Sequence, residues 1–200
     1  MIENPKLNPP TLVGKKVRLR PVVSSDAAVY ASITPVDTFK YYATQIPMKQ
    51  TEDGFRAFVD FIVNSANVQG FACELIETGQ VIGGTTFMDI RPADEHVEVG
   101  MTWYAPEWRG TFVNPECKFL MLSHAFEVLG CTKVTLKCDN RNENSKAAIL
   151  KLGAKHEGVL RRHKITDFGE WRDTSFYGIL KEEWPEVRAK LIGRLKDIGY

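Results

Sequence analysis

The sequence lacks an excess of either charge. Its 26 lysines and arginines stand against 25 aspartates and glutamates, a formal net charge of +1. A nucleic-acid binder takes most of its grip from surplus cations, so this balance leaves no electrostatic case for one. The short basic run Arg161-Arg-His-Lys164 reads as a solvated strand face. Metal-ligand pairs are missing as well. The four cysteines, Cys73, Cys117, Cys131 and Cys138, form no C-x-x-C, and the four histidines form no H-x-x-x-H. That argues against a structural zinc or any other metal site, and against a disulfide scaffold; it reads as reduced thiols in a cytoplasmic protein. No apolar run approaches the ~20 residues of a membrane span. Met1–Pro10 has no apolar signal-peptide core and is expected to form an extended arm, residues 1–11, ahead of a single domain, residues 12–200. No G-x-G-x-x-G follows an early strand and no G-x-x-x-x-G-K-[ST] is present, which argues against a dinucleotide-binding or P-loop fold. Repeats and low-complexity stretches are absent too.

What is there is an ordinary globular composition. Of 200 residues, 44% are hydrophobic and 26% charged, enough apolar surface for one core without staples. Val17-Arg-Leu-Arg-Pro21 alternates as a strand, and Ser24-Ser-Asp26 signals a helix start before Ala27–Ile33. Thr51-Glu-Asp-Gly54 opens a second helix with Phe55, Phe58, Val59, Ile62 and Val63 at helical spacing. Phe71–Ile76 and Val81–Met88 read as a hairpin around Glu77-Thr-Gly-Gln80. In the next strand, His96–Tyr104, strict alternation puts Val97, Val99, Met101 and Trp103 on one face and Glu98, Gly100, Thr102 and Tyr104 on the other.

A helix follows, with Asn114 as expected N-cap, Pro115 at its first position and Glu116 complementing the dipole. Its apolar stripe is Phe119, Leu122, Phe126 and Leu129, and Gly130 stops it. Thr132–Cys138 reads as a strand, Asn142 caps a short helix ending at Gly153, and Ala154–Ile165 and Glu170–Leu180 are strands joined at Asp167-Phe-Gly169. A helix from about Glu182 to Leu195 closes the chain. The order β-α-α-β-β-β-α-β-α-β-β-α predicts a mixed α/β (α+β) domain: an antiparallel meander, then crossovers with some parallel pairing.

Three places can carry chemistry. The loop Trp108-Arg-Gly-Thr-Phe-Val-Asn114 enters a helix N-terminus, where free N–H groups and the dipole favour an anion; the plain reading is a helix start with a surface arginine. Asp139-Asn-Arg-Asn142-Glu-Asn-Ser145 is capping chemistry on composition. Glu98 is a strand carboxylate, ordinarily solvated and less commonly a tuned base.

The series Val97-Glu-Val-Gly-Met-Thr-Trp-Tyr104, Trp108-Arg-Gly-Thr111, His124-Ala-Phe-Glu-Val-Leu-Gly130, Asp139-Asn-Arg-Asn-Glu-Asn-Ser145, Leu150-Lys-Leu-Gly-Ala154 and Glu157-Gly158 resembles the GNAT superfamily of N-acetyltransferases. The branch it looks most like includes the ribosomal-protein N-terminal serine and alanine acetyltransferases, and Leu12-Val-Gly-Lys-Lys-Val-Arg-Leu-Arg-Pro21 is similar to that branch too. The resemblance spans Leu12–Leu180, and it is the order of the motifs that makes it specific. It implies a single domain whose central mixed sheet has about seven strands flanked by helices. Two parallel strands, here His96–Tyr104 and Thr132–Cys138, are expected to splay apart and hold acetyl-CoA as co-substrate. The family's R/Q-x-x-G-x-G/A pyrophosphate loop matches Arg109, Gly110, Thr111, Phe112, Val113 and Asn114. Phe112 and Asn114 stand where the family has glycine or another small residue, and a phenylalanine there is expected to narrow the site.

The resemblance further implies acetyl transfer to a primary amine by direct attack. Glu98 is the expected base, through a water. A backbone N–H near Trp103 or Tyr104 is expected to meet the oxyanion. Ser145 is the expected proton donor to the thiolate, with Tyr177 ranked below it, and Asn142 orients the cofactor or caps its helix. The acceptor is a protein N-terminus or a small amine, met by aromatics at Phe39, Tyr41, Tyr42, Phe55 and Phe58, of which Phe55 and Phe58 also read as plain core. A catalytically inactive CoA-binding or protein-interaction module on the same fold is the alternative. No membrane or nucleic-acid partner is expected, and a monomer or a homodimer is.

Overall fold

The computed structural model describes residues 1–44 and 46–200. A short strand β1 (Leu12–Val13) precedes β2 (Val17–Pro21), helices α1 (Asp26–Ile33) and α2 (Glu52–Asn64), and strands β3 (Val68–Leu75), β4 (Val81–Arg91) and β5 (His96–Tyr104). Then come α3 (Val113–Ser123), β6 (Lys133–Asp139), α4 (Glu143–Leu152), β7 (Lys155–Ile165), β8 (Trp171–Leu180) and α5 (Trp184–Arg194). The expected order of elements holds, with β1 as an eighth strand. The sheet runs β1-β2-β3-β4-β5-β6-β8-β7, and β5–β6 is its parallel pair. No helix among the described residues is long and apolar enough to cross a membrane, and no metal-binding cluster is found among them.

Local chemistry explains most boundaries. Asn142 Oδ1 accepts the Ser145 N–H, so the predicted cap forms, and Thr51 Oγ1 accepts the Gly54 N–H at the predicted start of α2. Asn114 does not cap α3. The helix begins two residues earlier than expected, at Val113, and the Thr111 hydroxyl accepts the Val113 N–H. Pro115 then falls in the first turn, where its missing N–H leaves no gap. The side of α3 turned inward is Val113, Cys117, Met121 and Leu122; Phe119 is only half-buried, so the stripe is rotated from its predicted centre. Residues 1–11 carry no helix or strand but are tied down: Ile2 is buried and Lys6 Nζ donates to the Ile62 and Val63 carbonyls at the end of α2.

The sheet separates two apolar cores. One face packs Val97, Val99, Tyr104, Leu136 and Tyr177 with α3 and α5. The other packs Trp103 with Tyr30 of α1, Phe39, and Phe55 and Phe58 of α2. Phe39, predicted to line an acceptor wall, is fully buried here between Phe55, Phe58 and Trp103. Tyr41 and Tyr42 remain half-buried, and Tyr42 Oη donates to the Thr102 carbonyl.

Strict alternation in β5 fails. Met101 adopts φ +45°, and β5 places Met101 and Thr102 opposite one residue of β4, a β-bulge. The extra residue reverses the parity. Val97 and Val99 face the α3 core, as does Tyr104, whereas Trp103 faces the α1–α2 core.

Candidate active site

The bulge sits beside a gap. β5 pairs with β6 only at His96–Lys133, Val97–Val134 and Glu98–Thr135. Beyond Glu98 the two strands part, while β6 stays paired to β8 along its whole length. The β6-facing edge of β5 from Val99 to Tyr104 therefore has no strand partner, and unpaired main-chain groups need one from elsewhere.

The loop after β5 leads from this gap into α3. Thr111 Oγ1 donates to the Trp108 carbonyl, and Gly110 takes φ +76°, a left-handed turn that suits glycine. The N–H groups of Gly110, Thr111, Phe112 and Asn114 reach no acceptor among the described residues. Together with the positive end of the helix they form a donor set suited to a phosphate. Phe112 keeps a right-handed backbone, φ −64°, and its ring packs on Trp108, 6.2 Å between centroids. Both rings are half-buried against the α3 core. Arg109 braces the loop: Nε donates to the Tyr104 carbonyl at 3.1 Å and a terminal nitrogen to Thr38 Oγ1 at 2.9 Å.

Two side chains of α3 reach back to β5. Tyr104 Oη donates to Asn114 Oδ1 at 3.4 Å, and Lys118 Nζ donates to Thr102 Oγ1 at 2.6 Å. Lys118 is buried, and that burial pushes its ammonium down to about 8. Sequence reasoning missed it. The signal available was a lysine beside Cys117 and one turn before Leu122, on the inward side of the helix.

The other predicted residues divide between the faces of the sheet. Glu98 is 6% exposed, and its carboxylate lies 2.7 Å from Lys137 Nζ. Burial raises its carboxyl above the ordinary range, and the lysine charge pulls it back down. Ser145 and Tyr177 lie on the opposite side. Tyr177 is buried on β8 between Leu136 and His156, edge-on to the His156 ring, and burial raises its phenol. Ser145, in the first turn of α4, lies beside the buried thiol of Cys138, whose pKa burial raises. Asp139 and Arg141 form an ion pair at 2.9 Å, so most of the Asp139–Ser145 segment is engaged in holding its own turn.

Known proteins share this fold. The family model described as an acetyltransferase (GNAT) domain matches residues 16–155. The uncharacterised N-acetyltransferase YoaA of Bacillus subtilis (strain 168) is 26% identical over 175 residues, covering 86% of this chain and 97% of YoaA. A GCN5-related N-acetyltransferase from Brucella melitensis superposes with a TM-score of 0.85 at 26% identity, covering 96% of this chain and 88% of that one. RimJ of Mycobacterium smegmatis, solved with CoA-disulfide, shares the fold at a TM-score of 0.72 and 24% identity, covering 92% and 93%.

Proposed function

The chain belongs to the GNAT acetyltransferases, and from that membership we propose that it moves an acetyl group from acetyl-CoA to a primary amine by direct attack. The acceptor class is a protein N-terminus or a small-molecule amine. One observation carries the reading: the β5 edge that lacks a strand partner runs directly into a loop in which the Gly110, Thr111, Phe112 and Asn114 amides have no acceptor among the described residues. Bound acetyl-CoA supplies a thioester whose carbonyl carbon accepts the amine lone pair. The amides of Gly110, Thr111, Phe112 and Asn114, with the α3 dipole, bind the pyrophosphate, and Val113 holds the turn under them. The exposed guanidinium of Arg109 adds a cation to that loop. Asn142 fixes the start of α4 and with it the Ser145 hydroxyl.

The unpaired β5 edge near Trp103 and Tyr104 provides an N–H for the charge that develops on the carbonyl oxygen. Glu98 takes the proton of the amine through a water. An ammonium has no lone pair, so this step must precede attack. Ser145 returns a proton to the departing sulfur, with the Tyr177 phenol as a second donor. Because Glu98 and Ser145 occupy opposite faces, the amine enters from the Glu98 side and the thiol leaves on the Ser145 side, with the gap between them.

Glu98→Gln is expected to lower kcat by roughly 10²-fold or more while acetyl-CoA binding persists. Turnover that is unchanged at every pH would remove Glu98 from the mechanism. Ser145→Ala with an undiminished rate would likewise return Ser145 to a purely structural role.

A further inference from the structure

The β7–β8 hairpin gathers buried polar atoms that have nothing to bond. Arg172 Nε, His163 Nδ1 and Thr174 Oγ1 are all buried and without a hydrogen-bond partner among the described residues. Native proteins leave few such atoms, because each one costs free energy that water would have supplied. These three share one region. β8 pairs with β6 without a register shift, so Arg172, Thr174 and Phe176 alternate onto the same face. The Phe176 ring carries Lys137 Nζ at 4.8 Å and the His163 ring at 5.4 Å. Lys137 in turn holds Glu98 at 2.7 Å, so this is the Glu98 face of the sheet.

The anions nearby are already engaged. Asp139 is held by Arg141 at 2.9 Å and Glu98 by Lys137 at 2.7 Å. β6 ends at Asp139, opposite Thr174, so Arg172 lies past its end. A guanidinium, an imidazole and a hydroxyl on one face, each with a buried atom that has no partner among the described residues, suit the fork of a carboxylate or phosphate.

We propose that Arg172, His163 and Thr174 bind an anionic group of the acetyl acceptor, so that the acceptor is an amine that also carries a carboxylate. The proposal rests on the acetyltransferase reading and narrows its substrate class. The amine is presented to Glu98 while the anion is held at the far end of the same face. Burial and the neighbouring Lys164 and Lys137 charges keep His163 below its usual range, and burial lowers Arg172, both of which an arriving anion reverses.

Matched amines test this and separate the two sources of a carboxylate. One arm compares free amino acids with their carboxamides; the other compares short peptides with glutamate or glutamine after the N-terminal residue. With acetyl-CoA present, wild type is expected to favour the charged member of at least one pair by roughly 10-fold or more in kcat/KM. Arg172→Met is expected to collapse that ratio to near one, and Arg172→Lys to keep part of it. Equal rates for charged and neutral members in both arms, or a preference that survives Arg172→Met, overturns the proposal.

A binding measurement decides the matter even if none of these amines is acetylated. Glutarate is titrated calorimetrically into wild type and Arg172→Met with CoA present. Saturable binding to wild type, weakened about 10-fold or more in the variant, supports the site; no binding to wild type, or equal binding to both, overturns it. Arg172→Met is also expected to melt no lower than wild type, because it removes an unpartnered buried donor, whereas a purely structural arginine would lower the melting temperature. Acetyl-CoA binding to wild type, measured in parallel, reports on the transferase reading alone.

Discussion

Burial of Lys118 brings its amine from 10.5 to about 8. Each unit is worth about 1.4 kcal/mol, so holding the charged form inside costs about 3 kcal/mol at neutral pH. The sign follows from proton counts. Between those two values the unfolded chain binds more protons, so stability rises with pH across that window and the full penalty is present below it. Lys118→Met is therefore expected to stabilise the protein at pH 7 by as much as about 3 kcal/mol and to flatten that rise; denaturant melts at several pH values check both. The Lys118–Thr102 hydrogen bond offsets part of the gain. Lys137 acts the opposite way on Glu98. Its charge holds the carboxyl down against burial, so Lys137→Met is expected to move the acid limb of the pH–rate profile to higher pH. An unmoved limb would mean that Glu98 is not the titrating group. At this scale the sequence was legible where contacts are local. Asn142 and Thr51 announce their caps through the residues two or three positions on. The Glu98–Lys137 and Lys118–Thr102 contacts join residues 39 and 16 positions apart in the chain, and nothing in the local pattern pairs them.

β5 is the element on which the site depends. Alternation from Val97 to Tyr104 predicted one apolar face, and the bulge at Met101 divides those residues between two cores. The bulge was hidden because a methionine occupies the left-handed position, although Gly100 is its neighbour in sequence. A β-branched side chain is least tolerated there. Met101→Val is expected to destabilise the protein by about 1–2 kcal/mol and Met101→Gly to be neutral or slightly stabilising, read from denaturant midpoints. Equal effects of the two would rule out backbone strain at this position. The start of α3 was misread by two residues for a related reason: Pro115 fits anywhere in a first turn, and the Thr111 hydroxyl takes the Val113 N–H at the helix start. Glu116, predicted only to complement the dipole, is a fully buried tie. Its carboxylate accepts the N–H groups of Lys15, Lys16 and Val17 and the Tyr200 hydroxyl. Glu116→Ala leaves the buried Val17 N–H without its acceptor and loosens the half-buried donors around it, and is expected to cost about 1–3 kcal/mol, measured by the same melts.

Across the whole molecule the order of elements was readable from periodicity, turns and caps, and the splay was implied by family resemblance. What periodicity does not encode is where a parallel ladder stops. β5 and β6 continue in sequence past Glu98 and Thr135, yet their pairing ends there. That ending leaves the β5 edge from Val99 to Tyr104 without a strand partner, beside the loop that enters α3. Calorimetric titration of the purified chain with acetyl-CoA, with free CoA alongside, tests the proposed co-substrate most directly. Because the Phe112 ring packs on Trp108 and against the α3 core, saturable binding at about micromolar Kd, near −8 kcal/mol, is predicted for both ligands. No heat of binding up to about millimolar ligand would contradict the transferase reading and would leave a fold that has lost its co-substrate.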